Sequence, residues 1–127
     1  MADQAHFILY VRDPERSAAF YAQVLGAAPR LQVPGMTEFA LGGGCVLGLM
    51  PVAGAERLLG AGVVGTAREA RAELYLHVDD VRAWYDRARR AGAREVSPPQ
   101  PRDWGHEAAY VLDPDGHVLA FARAGVG

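Results

Sequence analysis

Residues 6–13 read His-Phe-Ile-Leu-Tyr-Val-Arg-Asp, and residues 73–80 read Glu-Leu-Tyr-Leu-His-Val-Asp-Asp. Each stretch is typical of a strand that ends at an aspartate, and an amphipathic helix pattern follows each aspartate. A glycine-led apolar strand then appears at residues 44–48 and again at residues 116–120. The sequence therefore predicts an α+β fold built from two related modules.

The two helix patterns also match. Small or apolar side chains recur at i, i+3, i+4 and i+7 in both halves, namely Ser17, Phe20, Tyr21 and Val24, then Val81, Trp84, Tyr85 and Ala88. We predict one domain over residues 1–127, with modules at about 5–50 and 72–123 and a connector at about 51–71. Three prolines within residues 97–101 predict an exposed loop rather than a central strand.

Composition limits the classes of function. The chain has 127 residues, a formal net charge of −2 and a single cysteine, Cys45. The charge argues against nucleic-acid binding, and one cysteine excludes an intramolecular disulfide. The sequence shows no signal peptide at its start and no apolar run of membrane-spanning length, so we expect a cytoplasmic protein that does not bind a membrane.

Strand parity separates two faces of the predicted sheets, because alternate side chains point to opposite sides. One face is apolar and suits packing under the helices; it carries Phe7, Leu9, Val11, Leu47, Leu49, Leu74, Leu76, Val78, Leu119 and Phe121. The other face mixes polar, aromatic and small side chains, namely His6, Ile8, Tyr10, Val46, Gly48, Met50, Glu73, Tyr75, His77, Val118, Ala120 and Ala122. This second composition favours ligand binding.

Several segments together resemble the vicinal oxygen chelate superfamily, which includes glyoxalase I, extradiol dioxygenases and bleomycin-resistance proteins. They are Val-Arg-Asp-Pro-Glu-Arg-Ser-Ala-Ala-Phe-Tyr at 11–21, Leu-Gly at 25–26, Val-Asp-Asp-Val at 78–81, Ala-Gly-Ala at 91–93 and Tyr-Val-Leu-Asp-Pro-Asp-Gly-His at 110–117. The resemblance implies two βαβββ modules related by a pseudo-twofold, with mixed sheets that curl around a cleft and helices outside. It also implies a homodimer.

The resemblance further implies where a metal ion would bind. In metal-dependent members the ligands come from the first and last strands of each module, and these positions fall on His6, Gly48, Glu73 and Ala120. Glycine and alanine have no coordinating side chain, so His6 and Glu73 form an incomplete set. We therefore expect no cofactor. The alternative is a divalent metal completed by a loop residue such as His106 or Glu107, or by a partner chain.

The predicted ligand-binding residues line the expected cleft: His6, Tyr10, Gly48, Met50, Glu73, Tyr75, Trp104 and Ala120. Gly48 and Ala120 are expected to leave an open floor, and the aromatic side chains offer stacking surfaces. Trp104 either covers the mouth of the cleft or packs against the edge of the sheet. Glu73 is the candidate catalytic base if its surroundings are apolar; the alternative is a strand-end carboxylate paired with an arginine.

These expectations favour a protein that sequesters an aromatic or drug-like molecule, of the antibiotic-resistance type, without a full metal site. The alternative is a metal-dependent enzyme of the glyoxalase or dioxygenase kind that acts on vicinal oxygens. A third option is metal-free acid-base catalysis by Glu73. The sequence leaves open whether the protein is an enzyme.

Overall fold

The computed structural model describes residues 4–65 and 70–125. The chain divides between residues 66 and 67 into two units, which we call the first and the second module. Residues 66–69 of the predicted connector lie outside the described residues.

The first module contains a four-stranded mixed sheet and two helices. Its elements are β1 (Ala5–Val11), α1 (Pro14–Leu25), β2 (Leu31–Val33), β3 (Met36–Ala40), β4 (Cys45–Pro51) and α2 (Val52–Leu59). The strand order is β1-β4-β3-β2, in which β1 is parallel to β4 and the other pairs are antiparallel. Asp13 caps α1 by accepting a hydrogen bond from the backbone N–H of Arg16 at 3.2 Å.

The core of the first module lies between α1 and the sheet. Phe20, Tyr21 and Val24 on the predicted helix stripe are buried, as are Leu47 and Leu49 of β4. Phe7 was expected in this core and is instead 50% exposed. It lies on β1, an edge strand with a neighbour on one side only within its sheet, so its side chain is covered less than those of central strands.

The second module repeats this topology with one helix. Its elements are β5 (Glu73–His77), α3 (Val81–Arg90), β6 (Arg94–Pro101), β7 (His106–Leu112) and β8 (Val118–Ala124). The strand order β5-β8-β7-β6, with β5 parallel to β8, matches the first module strand for strand. The predicted α+β class with two βαβββ modules is therefore confirmed.

The prediction for the proline-rich segment was wrong. Residues 97–101 were predicted to form an exposed loop, yet they belong to β6. This strand lies at the edge of its sheet, and its register with β7 shifts on both sides of Ser97. Proline has no N–H to donate, and an edge strand with an irregular register tolerates that loss.

Two shorter observations complete the fold. The Asp113–Gly116 turn joins β7 to β8 as predicted, and Oδ1 of Asp113 accepts hydrogen bonds from the backbone N–H groups of Asp115 and His117, each at 2.9 Å. Across the two described ranges, every helix is too short or too polar to cross a membrane.

Candidate functional site

Strand register confirms the two predicted groupings of side chains, one in each module. In the first sheet, His6, Ile8 and Tyr10 stand opposite Val46, Gly48 and Met50. In the second sheet, Glu73, Tyr75 and His77 stand opposite Val118, Ala120 and Ala122. Register partners project to the same side of a sheet. We call these two surfaces the His6 face and the Tyr75 face, and we describe each within its own module.

A chain of hydrogen bonds organises the Tyr75 face. Nε1 of Trp104 donates to the hydroxyl oxygen of Tyr75 at 3.0 Å, and this oxygen lies 2.7 Å from Nδ1 of His106. Indole nitrogen only donates, so the tyrosine proton is available for Nδ1 of His106. The Tyr75 hydroxyl thus links Trp104, which is 55% exposed, to His106 and restrains the position of the indole ring.

The rings of the Tyr75 face form a cluster over small side chains. Ring centroids of Tyr75, His77 and His106 lie 5.4 to 5.9 Å apart. Ala120 and Ala122 of β8, the register partners of Tyr75 and His77, are fully buried. Because alanine has a small side chain, Ala120 and Ala122 leave room on this face for the rings of Tyr75 and His77. The sequence predicted the aromatic character of this face and missed the role of His106.

Arg102, which follows β6, and Tyr110 of β7 lie close together in the same module. Arg102 donates to Oγ of Ser97 at 2.9 Å and to the carbonyl oxygen of Ala108 at 2.8 Å, and its guanidinium lies 5.1 Å from the centre of the Tyr110 ring. Burial raises the pKa of Tyr110 above its ordinary value of 10.0; Glu73 and Tyr75 raise it further, while Arg102 opposes them. Tyr110 therefore keeps its proton and remains a hydrogen-bond donor at neutral pH.

Glu73 is more exposed than a catalytic base in apolar surroundings would be. It lies on the Tyr75 face as predicted, at the first position of β5, but it is exposed. Within residues 70–125 the carboxylate of Glu73 therefore lacks the apolar cover that would favour a general base. Its assignment as a catalytic residue stays a prediction.

The His6 face is less open than expected. A Cβ atom added at Gly48 would lie 3.1 Å from Cγ1 of Ile8 and 3.3 Å from Sδ of Met36. These two side chains already take the space that the missing glycine side chain leaves. A side chain at Gly48 would therefore be crowded, and Ala120 in the second module is fully buried. The open floor between His6 and Glu73 stays a prediction.

The sequence analysis did not predict a charged cluster of Arg30, Glu38 and His6 on the His6 face. Oε1 of Glu38 accepts a hydrogen bond from Nε of Arg30 at 3.0 Å and forms an ion pair with Nη2 of Arg30 at 2.9 Å, and Oε2 of Glu38 lies 3.6 Å from Nδ1 of His6. Glu38 is the register partner of Gly48 across β3 and β4. Thr37 and Phe39, the neighbours of Glu38 in the chain, are buried. The two-residue alternation of a strand therefore puts Glu38 on the opposite face, and this pattern was the signal in the sequence that could have indicated its position.

The side chains at the implied ligand positions offer few donor atoms to a metal ion. Gly48 and Ala120 carry no donor atom, and Glu38 is already paired with Arg30. Over residues 4–65 and 70–125, no three His, Cys, Asp or Glu side chains converge on a common point where an ion could bind. These residues do not fit a metal centre with three protein ligands. Metal binding through His6 and Glu73 stays a prediction.

Comparison with known proteins gives a consistent result. A family model described as Glyoxalase/Bleomycin resistance protein/Dioxygenase superfamily matches residues 3–121. No curated protein matches the chain. Among solved structures, a glyoxalase-related enzyme from Fulvimarina pelagi is 28% identical with a TM-score of 0.85, over 97% of this chain and 88% of that chain.

Two further structures extend the comparison. Protein ATC0852 from Agrobacterium tumefaciens is 27% identical with a TM-score of 0.77, over 100% of both chains. A glyoxalase/bleomycin resistance protein/dioxygenase family enzyme from Burkholderia phytofirmans PsJN is 23% identical with a TM-score of 0.86, over 97% of this chain and 99% of that chain. At that lower identity the likeness concerns the fold alone.

Proposed function

Because this chain belongs to the Glyoxalase/Bleomycin resistance protein/Dioxygenase superfamily, we propose that it binds an aromatic or drug-like small molecule and sequesters it without chemical turnover. The fold alone does not select this function, since one scaffold carries several activities. The side chains on the Tyr75 face support it. They provide flat aromatic surfaces and hydrogen-bond donors.

The observation that carries the proposal is the exposed indole of Trp104. An isolated exposed tryptophan on a loop would move freely, and ordering it on binding would cost entropy. The hydrogen bond to Tyr75, which is in turn bonded to His106, fixes the ring beforehand. A fixed aromatic surface with polar neighbours is what a planar ligand needs for stacking.

Fluorescence of Trp104 tests the proposal. In a Trp84→Phe background, Trp104 is the only tryptophan. We expect that a thermal-shift screen of aromatic and drug-like compounds, bleomycin among them, finds a ligand that changes Trp104 emission saturably. Tyr75→Phe removes the hydroxyl that bonds to Trp104 and to His106. Loss of the bond that holds Trp104, worth about 1 kcal/mol, should weaken binding roughly 5-fold.

Tyr85→Phe is the matched control, because it removes the same hydroxyl group from buried Tyr85 on α3, away from the Tyr75 face. It should leave affinity unchanged. A flat screen over all compound classes would contradict the proposal, as would a ligand whose affinity is the same in wild type and Tyr75→Phe.

We also propose that the protein forms a homodimer. Strand β1 is an edge strand with exposed apolar side chains on both of its sides, Phe7 on one and Ile8 on the other. Such an edge favours association, because its exposed apolar side chains can be buried against a second copy.

The metal-dependent enzyme remains the alternative, and it would need a donor set that the described residues do not provide. Metal content of protein purified without chelator distinguishes the two functions. Near-stoichiometric Ni²⁺, Zn²⁺, Mn²⁺ or Fe²⁺ that is lost in His6→Ala would favour the enzyme.

A further inference from the structure

The ion pair of Arg30 and Glu38 is asymmetric in its exposure. The carboxylate side chain is 14% exposed and the guanidinium side chain is 41% exposed. The negative member of the pair is therefore turned toward the protein and the positive member toward the surroundings. The His6 face thus presents a cation, even though the pair is neutral as a whole.

Both oxygens of Glu38 already have neighbours. Oε1 accepts a hydrogen bond from Nε of Arg30 and lies 2.9 Å from Nη2 of the same side chain, and Oε2 faces Nδ1 of His6 at 3.6 Å. The carboxylate is thus poorly placed to receive a cationic ligand. What the pair still offers to a ligand is N–H groups.

The guanidinium is held in a defined orientation. Nε donates a hydrogen bond to Oε1 of Glu38, Nη2 lies within ion-pair distance of the same oxygen, and the backbone N–H of Arg30 donates to the carbonyl oxygen of Glu38 at 2.8 Å. Within the described residues, Nη1 makes no hydrogen bond, so the end of the guanidinium formed by Nη1 and the second N–H of Nη2 remains available. This end has the two-pronged geometry that pairs with two oxygen atoms of an oxyanion.

Apolar side chains surround this cation on the same face. Leu31 is the register partner of Glu38, Val33 follows it by two positions, and Ile8 lies beyond Gly48 in the same row. All three are exposed. A positive group within an exposed apolar surface matches a ligand that combines an oxyanion with an apolar body.

We propose that the His6 face of the first module binds organic anions, with Arg30 bound to a carboxylate or sulfonate and Leu31 and Val33 in contact with the apolar part. Glu38 acts as a positioning residue that holds the guanidinium. This proposal rests on side chains of the first module and the proposal on Trp104 rests on the second, so each is tested by its own variants and either can fail without the other.

The test uses a pair of fluorescent probes that differ by one charged group. 1-Anilinonaphthalene-8-sulfonate carries a sulfonate, and N-phenyl-1-naphthylamine has the same aromatic body without it. We expect saturable binding of the sulfonate probe to the wild-type protein. Arg30→Met should weaken it about tenfold or more, the effect of losing hydrogen bonds to a charged group, while binding of the neutral probe stays unchanged.

Two variants keep the test interpretable. Arg30→Met takes the arginine partner away from Glu38, whose side chain is 14% exposed, and such a loss destabilises a fold. Arg30→Met/Glu38→Gln removes both charges and should show the same selective loss. Arg16→Met removes an exposed arginine from α1 of the same module and should leave both probes unaffected. Equal sulfonate affinity in the wild type and the double variant would overturn the proposal, and so would an equal loss in Arg16→Met.

Discussion

At the scale of single residues, local environment separates side chains of similar chemistry. Glu73 and Glu38 both lie on strands at the faces that were expected to bind ligand, yet Glu73 is exposed and Glu38 is nearly buried against an arginine. Tyr75 and Tyr110 are both register neighbours of Ala120. Tyr75 is engaged by Trp104 and His106, whereas Tyr110 lies under Arg102.

Tyr110 gives a prediction for alkaline pH. Its pKa is raised above 10.0 in the folded protein, first by burial and then by Glu73 and Tyr75. The folded protein therefore holds this proton more tightly than the unfolded chain does. Its contribution to stability is intact below pH 10 and is lost as pH rises through the raised pKa.

Thermal unfolding from pH 9 to pH 11 measures this effect. We expect the melting temperature of the wild type to fall more steeply above pH 10 than that of Tyr110→Phe, which keeps the ring beside Arg102 and lacks the proton. Parallel curves for the two proteins would show that Tyr110 does not titrate as described.

At the scale of elements, helix ends and strand edges follow from local chemistry. Both long helices begin after an aspartate whose Oδ1 accepts a backbone hydrogen bond, Asp13 for α1 and Asp80 for α3. Three arginines occupy the last turn of α3, where positive charge is favourable. In strand β6, by contrast, the tertiary structure decides the outcome. Its prolines are tolerated because β6 lies at the edge of its sheet.

Removal of the α3 cap gives a prediction for stability. Oδ1 of Asp80 accepts from the backbone N–H of Ala83 at 3.0 Å. Asp80→Ala should lower the free energy of unfolding by about 1 kcal/mol, because that N–H loses its partner. Asp79→Ala removes the neighbouring exposed carboxylate and should change stability by less than about 0.5 kcal/mol. Urea unfolding measures both, and equal losses would exclude a specific capping effect.

At the scale of the whole molecule, the two modules share one topology but offer different chemistry. The Tyr75 face is aromatic and hydrogen-bonded, whereas the His6 face is apolar around a charged pair. A repeated fold thus carries two unlike surfaces, and this divergence allows two separate binding proposals. The homodimer that we propose would use β1, which lies at the edge of its sheet.

Self-association is the prediction at this scale. We expect sedimentation equilibrium to report a dimer at micromolar concentrations. Phe7→Glu should raise the dissociation constant at least tenfold, because a charge would replace an exposed ring on β1. Val63→Glu places the same charge at another exposed apolar position and should leave association unchanged. A monomeric wild type, or equal effects of the two variants, would contradict the β1 interface.

The sequence by itself determined the features that depend on local order. The repeat of residues 6–13 in residues 73–80, the capping aspartates and the two-residue alternation predicted the modules, their helices and the residues that share each face. His6, Tyr10, Gly48 and Met50 lie together on one face as expected. Periodicity suffices here because the side a side chain takes follows from its position within its own element.

Only the tertiary structure decided which side chains meet. Glu38 lies beside His6, and Trp104 reaches Tyr75 across 29 positions of sequence. The same nonlocal pairing places prolines 98, 99 and 101 at a sheet edge and fills the space at Gly48 with Ile8 and Met36. Strand order and register between distant segments are set by packing of the whole module, and no local pattern specifies how far two strands slide before they pair.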